Sequence, residues 1–417
     1  MMWGSVLDRN SRYNILNAAY AAASLNMIGP FVRKMAIDMG ADNLQLGYLA
    51  SWPNAASVIA VMGAAAAVAR VRDRKRLVAA IFLLGRAAAL GVAAVPWLPP
   101  HLRVWGVILF WVLAVFPNSA ATTALNAFLA DVFCGTERGR ALAERQSWST
   151  GVGMVVAFAT GWLLDDLLPY PYGYLVFFTL SFLVGLIEIY YFLRMDASEH
   201  GESPARGATS GGGLRSYLTV FTHKPFTRFL IASVLFHFTW QMVWPLFDRF
   251  QITELGASNM WLGILTVSNS IVAIATYPLW TRWAQQYGTT KVLGVAAAVL
   301  ASAPALNAVT PNLYVLVVVT LFTGTGVAGV MLLVLNTLLE VSPAEGRPLY
   351  LAVHSAVTSV GAAIAPLVGA YMMTLMPLRT GLAISTLLRM IGVAGFLIVA
   401  ALGARKGNLD AAENSPR

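Results

Sequence analysis

The sequence predicts an all-α integral membrane protein, with twelve transmembrane helices in two pseudo-symmetric six-helix bundles. Three observations carry this. Apolar residues make up 58% of the 417 and charged residues only 11%, against about a quarter charged in soluble domains. The apolar residues gather into twelve stretches of roughly the 20 residues needed to cross a hydrocarbon core. The chain also repeats itself. Gly40-Ala41-Asp42-Asn43-Leu44-Gln45-Leu46-Gly47 returns 216 positions later as Gly256-Ala257-Ser258-Asn259-Met260-Trp261-Leu262-Gly263. The same offset pairs Phe31 and Arg33 with Phe247 and Arg249, and Arg12-Tyr13 with Arg228-Phe229. A duplication in so apolar a chain points to two halves packed around a shared site.

In chain order the predicted spans lie near 13–32, 44–68, 77–96, 103–131, 146–167 and 172–193. The second half supplies 226–247, 260–281, 291–309, 312–338, 349–375 and 380–403. The first is the most polar. A β-barrel would instead show alternating segments of about ten residues. The domains expected are an N-terminal bundle over 1–195, a linker over 196–224, a C-terminal bundle over 225–404 and a tail over 405–417. The linker is polar and rich in Gly and Ser, with the run Gly211-Gly212-Gly213, and lacks apolar periodicity. The other loops are short, leaving no room for a soluble catalytic domain.

Charge orients the chain. With the N-terminus in the cytoplasm, 21 of the 28 Lys and Arg fall on the cytoplasmic side. The opposite face holds Arg33, Lys34, Arg103, Arg249 and Arg379, while Arg86 and Arg389 lie inside spans. This bias predicts cytoplasmic termini in a multi-pass cytoplasmic (inner) membrane protein. The net charge of +9 then suits an anionic leaflet rather than a nucleic acid. Cys134 is the lone cysteine, so no disulfide framework or metal site is expected. Met1 to Arg12 is short and polar, unlike a cleavable signal peptide.

Enzyme signatures are absent from the sequence: no His pair at metal spacing, no phosphate-cradling loop, no nucleophile beside a base. No cofactor is expected, and a self-contained ATP-driven pump is excluded. What remains are polar residues inside spans, which are expensive there and usually face a cavity or a partner helix. In span 7, Ser233, His237, Gln241, Trp244 and Asp248 recur every three or four residues on one helical face. Span 1 carries Asn14, Asn17 and Ser24, and span 4 carries Asn118, Thr122 and Asn126. Span 10 offers Thr325 and Asn336 beside Gly324, Gly326 and Gly329, span 11 adds His354, Ser355 and Thr358, and span 5 adds Gln146 and Thr150.

A second repeat lies deeper in each half. Asp131 is followed by six residues and Arg138, and Glu340 by six and Arg347. With six plus six spans and a central cytoplasmic linker, this acid-x6-Arg element after spans 4 and 10 resembles the major facilitator superfamily over essentially the whole chain. The stretch Leu46 to Asn54, and Pro278-Leu279-Trp280 with Tyr287, Gly288 and Lys291, resemble poorly characterised prokaryotic members. The resemblance implies that spans 1, 4, 7 and 10 line a central cavity, consistent with the polar faces above. The chain departs from the family's loop 2–3 motif. Its Asp position falls on Ala69 and Gln285, leaving the basic run Arg70, Arg72, Arg74, Lys75 and Arg76 and the pair Gly288 and Lys291.

These residues give the expected sites. Substrate contacts are assigned to Asn17, Asn118, Thr122, Asn126, His237, Gln241, Trp244, Asn336 and His354. Coupling candidates are Asp248, Glu188, His237 and His354, because imidazoles titrate near neutrality and buried carboxylates can be shifted there. Gating falls to Asp131, Arg138, Arg145, Glu340 and Arg347, read either as a cytoplasmic latch or as solvated helix-end charges. Arg86 and Arg389 suggest a buried ion pair or snorkelling, with Glu188 a partner for one of them. Amides, hydroxyls and Trp suit a neutral or amphipathic organic solute.

The leading expectation is a monomeric secondary transporter, not an enzyme, that moves a small molecule across the bilayer by alternating access. Proton-coupled export is one mode, with faint support from the Gly-rich run Gly361 to Gly369. An uptake carrier for a sugar or related metabolite is the alternative. A non-transporting or lipid-handling membrane protein is a third reading.

Overall fold

The computed structural model describes residues 6–70, 74–133, 135–168, 170–196, 219–343 and 346–413, without the side chains of 6–8, 62–70, 74, 131, 135–136, 348 and 403–413. Those residues are helical nearly throughout and contain no strand. Most of the expected linker (197–218), Arg72, Cys134 and the end of the tail (414–417) lie outside the described residues, as does the Asp131 side chain. Ten helical stretches are long and apolar enough to cross a membrane. The more polar α1 (Val6–Asn26), with α3 (Asn43–Arg70), completes the twelve-helix order.

The chain forms two compact units. The first comprises Met1–Ala208 together with Gln251–Val267, and the second Thr209–Phe250 and Ser268–Arg417. In the first unit the helices are α1, a short α2 (Val32–Asp38), α3, α4 (Arg74–Ala94), α5 (Pro100–Val132), α6 (Gly135–Asp166) and α7 (Tyr172–Arg194). Span 1 is therefore not continuous: the chain turns over Met27–Phe31, where Pro30 has no N–H to offer the ladder. Helix α5 packs on α3 and α4, while α1 packs on α6 and α7. Phe31, Met35, Val107, Ile108 and Phe178 are fully buried among these helices. Asp196, at the mouth of the linker, is held by Arg9 Nη2 at 2.7 Å and by Lys75 Nζ at 3.7 Å.

The second unit holds α8 (Lys224–Met242), α9 (Trp244–Arg249), most of α10 (Asn259–Tyr287), α11 (Thr289–Ala301), α12 (Ala303–Val309), α13 (Leu313–Val341), α14 (Arg347–Leu375) and α15 (Leu378–Glu413). Spans 7 and 9 are each interrupted, before Pro245 and Pro304. Both prolines sit in the first turn of the following helix, where the missing N–H costs least. Helix α8 packs on α14 and α15, and α11 on α13 and α15. Their core gathers Phe226, Phe229, Phe236, Leu300, Leu333 and Phe396. A Cβ at Gly369 would lie 1.8 Å from the Met242 carbonyl oxygen, so the Gly-rich run of α14 lets two helix backbones touch.

Apolar side chains also cover the outside. Leu84, Val155, Ile231, Val318 and Leu387 are exposed within spans, as expected of helices solvated by lipid.

Candidate functional site

In the first unit the polar face of α1 is sealed rather than open. Asn14, Asn17 and Ser24 are fully buried. Asn14 Nδ2 donates to the Ala141 carbonyl at 3.1 Å, and Asn17 Nδ2 to the Glu188 carbonyl at 3.0 Å. Their side-chain oxygens accept from Arg145 Nη1, at 3.0 Å for Asn14 and 2.7 Å for Asn17. Ser24 and Ser181 exchange hydroxyl bonds, each reaching the other's carbonyl. The Glu188 carboxylate accepts from Arg86 Nε at 3.1 Å and Nη2 at 2.6 Å. One buried network thus ties α1, α4, α6 and α7, and each amide carries a donor and an acceptor bond as burial requires. Arg145, expected to gate, sits inside this network. Glu188 is the partner of Arg86, and Asn17 orients the guanidinium of Arg145.

Helix α5 presents a more open polar face. Asn118 is half-buried, and Thr122 and Asn126 are exposed. Thr122 Oγ1 bonds back to the Asn118 carbonyl at 2.8 Å, so its hydroxyl hydrogen is already satisfied within the helix.

The second unit assembles a compact group on α8 and α14. Ser233 Oγ lies 2.8 Å from His354 Nε2 and 3.3 Å from His237 Nδ1. His237 Nδ1 also lies 2.8 Å from the Ser233 carbonyl. A carbonyl can only accept, so this contact assigns the His237 proton to Nδ1. The imidazoles stand 6.2 Å apart and nearly perpendicular. Phe229 stacks on His354, and Trp240 tilts against His237. His354 is buried, while His237, Gln241, Trp244 and Asp248 are half-exposed along one side of α8 and α9. The Ser233–His354 link joins residues 121 positions apart, so helical spacing could point to Ser233 but not to its partner. Asn336 is half-exposed on α13 and is not part of this group.

Below it, Arg389 is fully buried. Its Nη1 donates to the Leu300 carbonyl at 2.8 Å and Nη2 to the Trp240 carbonyl at 3.3 Å. Pro304 cannot donate to Leu300 as an ordinary helical residue would; the Leu300 carbonyl accepts from the backbone at the helix end and from Arg389. No ion pair to Arg389 occurs among the described residues.

At the acid-x6-Arg elements, Glu340 Oε1 accepts from Thr289 Oγ1. Arg138 and Arg347 are exposed, and among the described residues neither forms an ion pair. Among those residues, no group of three or more His, Cys, Asp or Glu could hold a metal ion.

Comparison with solved structures gives the same fold at low sequence identity. A mutant of the nucleoside transporter NupG superposes with a TM-score of 0.73 at 13% identity, covering 95% of this chain and 100% of that one. A bacterial homologue of the iron transporter ferroportin, in an inward-facing state, gives 0.71 at 10% identity over 94% and 98%. The D-xylose-proton symporter gives 0.67 at 14% identity over 95% and 97%. No curated protein matches the sequence. The sequence profile of the Major Facilitator Superfamily matches residues 15–241 and 229–415, so both halves of the chain fit it and the protein belongs to that family of membrane transporters.

Proposed function

We propose that the chain is a secondary active transporter that carries a small neutral or amphipathic organic solute by alternating access. The solute is bound by the half-exposed side of α8 and α9, and coupling runs through the Ser233-linked histidines. One observation carries the reading. His237, Gln241 and Trp244 stand half-exposed along that side beside the buried His354, so a stacking surface, an amide and two imidazoles lie together. A solute ring can stack on Trp244 while Gln241 and His237 bond its polar groups. The two imidazoles are the proton-carrying groups of this cluster. The distribution of Lys and Arg supports cytoplasmic termini.

A hydroxyl-rich solute taken up into the cell is a second reading, favoured by the fold shared with a nucleoside transporter and a D-xylose-proton symporter. In the Gly-rich run that suggests export, Gly369 packs against the Met242 carbonyl.

The test is counterflow in liposomes with purified protein and a panel of nucleosides, sugars and amphipathic amines. Gln241→Ala and Trp244→Ala should each weaken the apparent affinity for the active solute about tenfold, the value of roughly one lost stacking or charge-free polar contact. Unchanged affinity in both would move the site off α8. Absence of counterflow with every compound, by protein shown to be folded, would remove the carrier reading.

A further inference from the structure

Asp165, near the end of α6, caps a helix that is not its own. Its Oδ1 accepts the Asn259 backbone N–H at 3.1 Å and the Asn259 side-chain Nδ2 at 2.9 Å. Its Oδ2 accepts the Met260 N–H at 2.7 Å. Asn259 and Met260 are the first two residues of α10, whose leading N–H groups have no partner within the helix. Asn259 Oδ1 in turn accepts from Tyr174 Oη at 3.1 Å. One amide therefore joins the end of α6 and the start of α7 to the start of α10, and all of these residues lie in the first unit.

The duplicated sequence shows what is unusual here. In the first repeat, the equivalent helix α3 caps itself. Asp42 Oδ1 accepts the Gln45 N–H at 2.7 Å, and Gln45 Oε1 accepts the Asp42 N–H at 2.9 Å, a reciprocal capping box. At the matching positions of the second repeat stand Ser258 and Trp261. An indole has no acceptor to return, and no side-chain bond from Ser258 to the helix occurs among the described residues. The turn itself is conserved between the repeats, with Gly40 at φ 88° and Gly256 at φ 67°. Only the source of the cap has changed, from within the helix to another one.

The contact is also close at the backbone. A Cβ at Gly161 would lie 2.5 Å from the Asn259 carbonyl oxygen, and one at Gly263 would lie 2.9 Å from the Ala157 carbonyl oxygen. A cavity of about 400 Å³ lined by Lys34, Asp38, Tyr170 and Ser258 reaches the cap, so water can compete for the Asp165 oxygens.

We propose that Asp165 is a releasable clasp. It holds the first turn of α10 to the first unit in this conformer. Breaking its three hydrogen bonds lets segment 251–267 leave α6 when the carrier opens on the face where Asp165 lies. A helix start with no cap of its own gains its partner only when docked, so the clasp stabilises one conformer against another. The proposal rests on the alternating-access reading, and its test is independent of any solute.

The full chain, reconstituted in lipid nanodiscs, would be followed by amide hydrogen exchange and by thiol labelling. Asp165→Ala should speed exchange of the amides at 259–262 about tenfold, the scale of a lost N-cap, leaving 292–300 in α11 unchanged. Gly161→Ala, which separates the backbones but keeps every hydrogen-bonding group, should act in the same direction. With Cys134→Ser as background, a cysteine at the buried Ala257 should label faster in both variants. Should Asp165→Ala fail to fold, Asp165→Asn and Gly161→Ala read the same quantities. Unchanged exchange in the folded variants would overturn the proposal. So would faster exchange with Ala257→Cys still shielded, since Asp165 would then cap α10 without holding the conformer. Labelling that rises as expected in a protein that moves no solute would keep the clasp and remove the carrier reading.

Discussion

Arg86 Nη2 lies 2.6 Å from Glu188 Oε2, with both side chains almost wholly buried in the first unit. The pair ties α4 to α7, the third and sixth spans of its half. In the second half the third and sixth spans are α11 and α15, and Arg389 of α15 ties them through the Leu300 carbonyl. Each half thus secures the same two spans with a buried arginine. The arginine stands on opposite members of the pair, and among the described residues only the first has a carboxylate opposite it.

The first pair should be costly to break. Glu188→Gln leaves Arg86 buried without its counter-charge, and removing one partner of a buried pair typically costs about 3–5 kcal/mol. The melting temperature in detergent should fall well below wild type. Replacing both partners, as Arg86→Met with Glu188→Leu, should recover most of it. If Glu188 is a structural partner, the double variant retains pH-driven accumulation. Loss of that accumulation in a stable double variant would return Glu188 to the coupling group.

Arg389 should behave differently, since its partners are carbonyls. Arg389→Met keeps much of the volume but removes a charged donor from the Leu300 and Trp240 carbonyls, at a cost of about 1–3 kcal/mol. Adding Pro304→Ala restores an N–H four residues on and should return part of the lost stability. Thermal unfolding of the single and double variants checks this, and equal losses in both would mean that Arg389 does not replace the missing donor.

Coupling is assigned by separating exchange from accumulation. His354→Gln keeps a polar side chain beside Ser233 but removes the imidazole that would carry the proton. It should abolish accumulation driven by a pH gradient while solute exchange continues in liposomes. Asp248→Asn should leave accumulation intact. The reverse pattern would place the coupling proton on Asp248.

Orientation is open to labelling in intact cells. With Cys134→Ser as background, a cysteine at Asp166 should react with an impermeant thiol reagent. One at the exposed Thr222 should be shielded until the cells are opened. The opposite pattern would invert the charge-based assignment.

Much of the architecture was legible in the sequence because membrane solvation is a demand on long stretches of chain. A span of twenty apolar residues, a bias of Lys and Arg, and a repeat at an offset of 216 are all properties of order along the chain. The half-exposed side carrying His237, Gln241, Trp244 and Asp248 likewise follows from helical period, which is local. The breaks at Pro30, Pro245 and Pro304 were not legible from proline alone, since Pro53, Pro117, Pro278 and Pro366 lie inside unbroken helices.

What only the tertiary structure decided is which polar groups meet. Asn17 and Arg145 carry no mark of a shared network, and one was expected to bind substrate and the other to gate. Ser233 finds His354 across 121 positions, Asp165 finds Asn259 across 94, and Arg389 finds Leu300 across 89. A buried donor or acceptor must be satisfied, but that rule says only that a partner exists. The packing of helices chooses it, and at Gly161 and Gly369 that packing depends on backbones close enough to exclude a single methyl group.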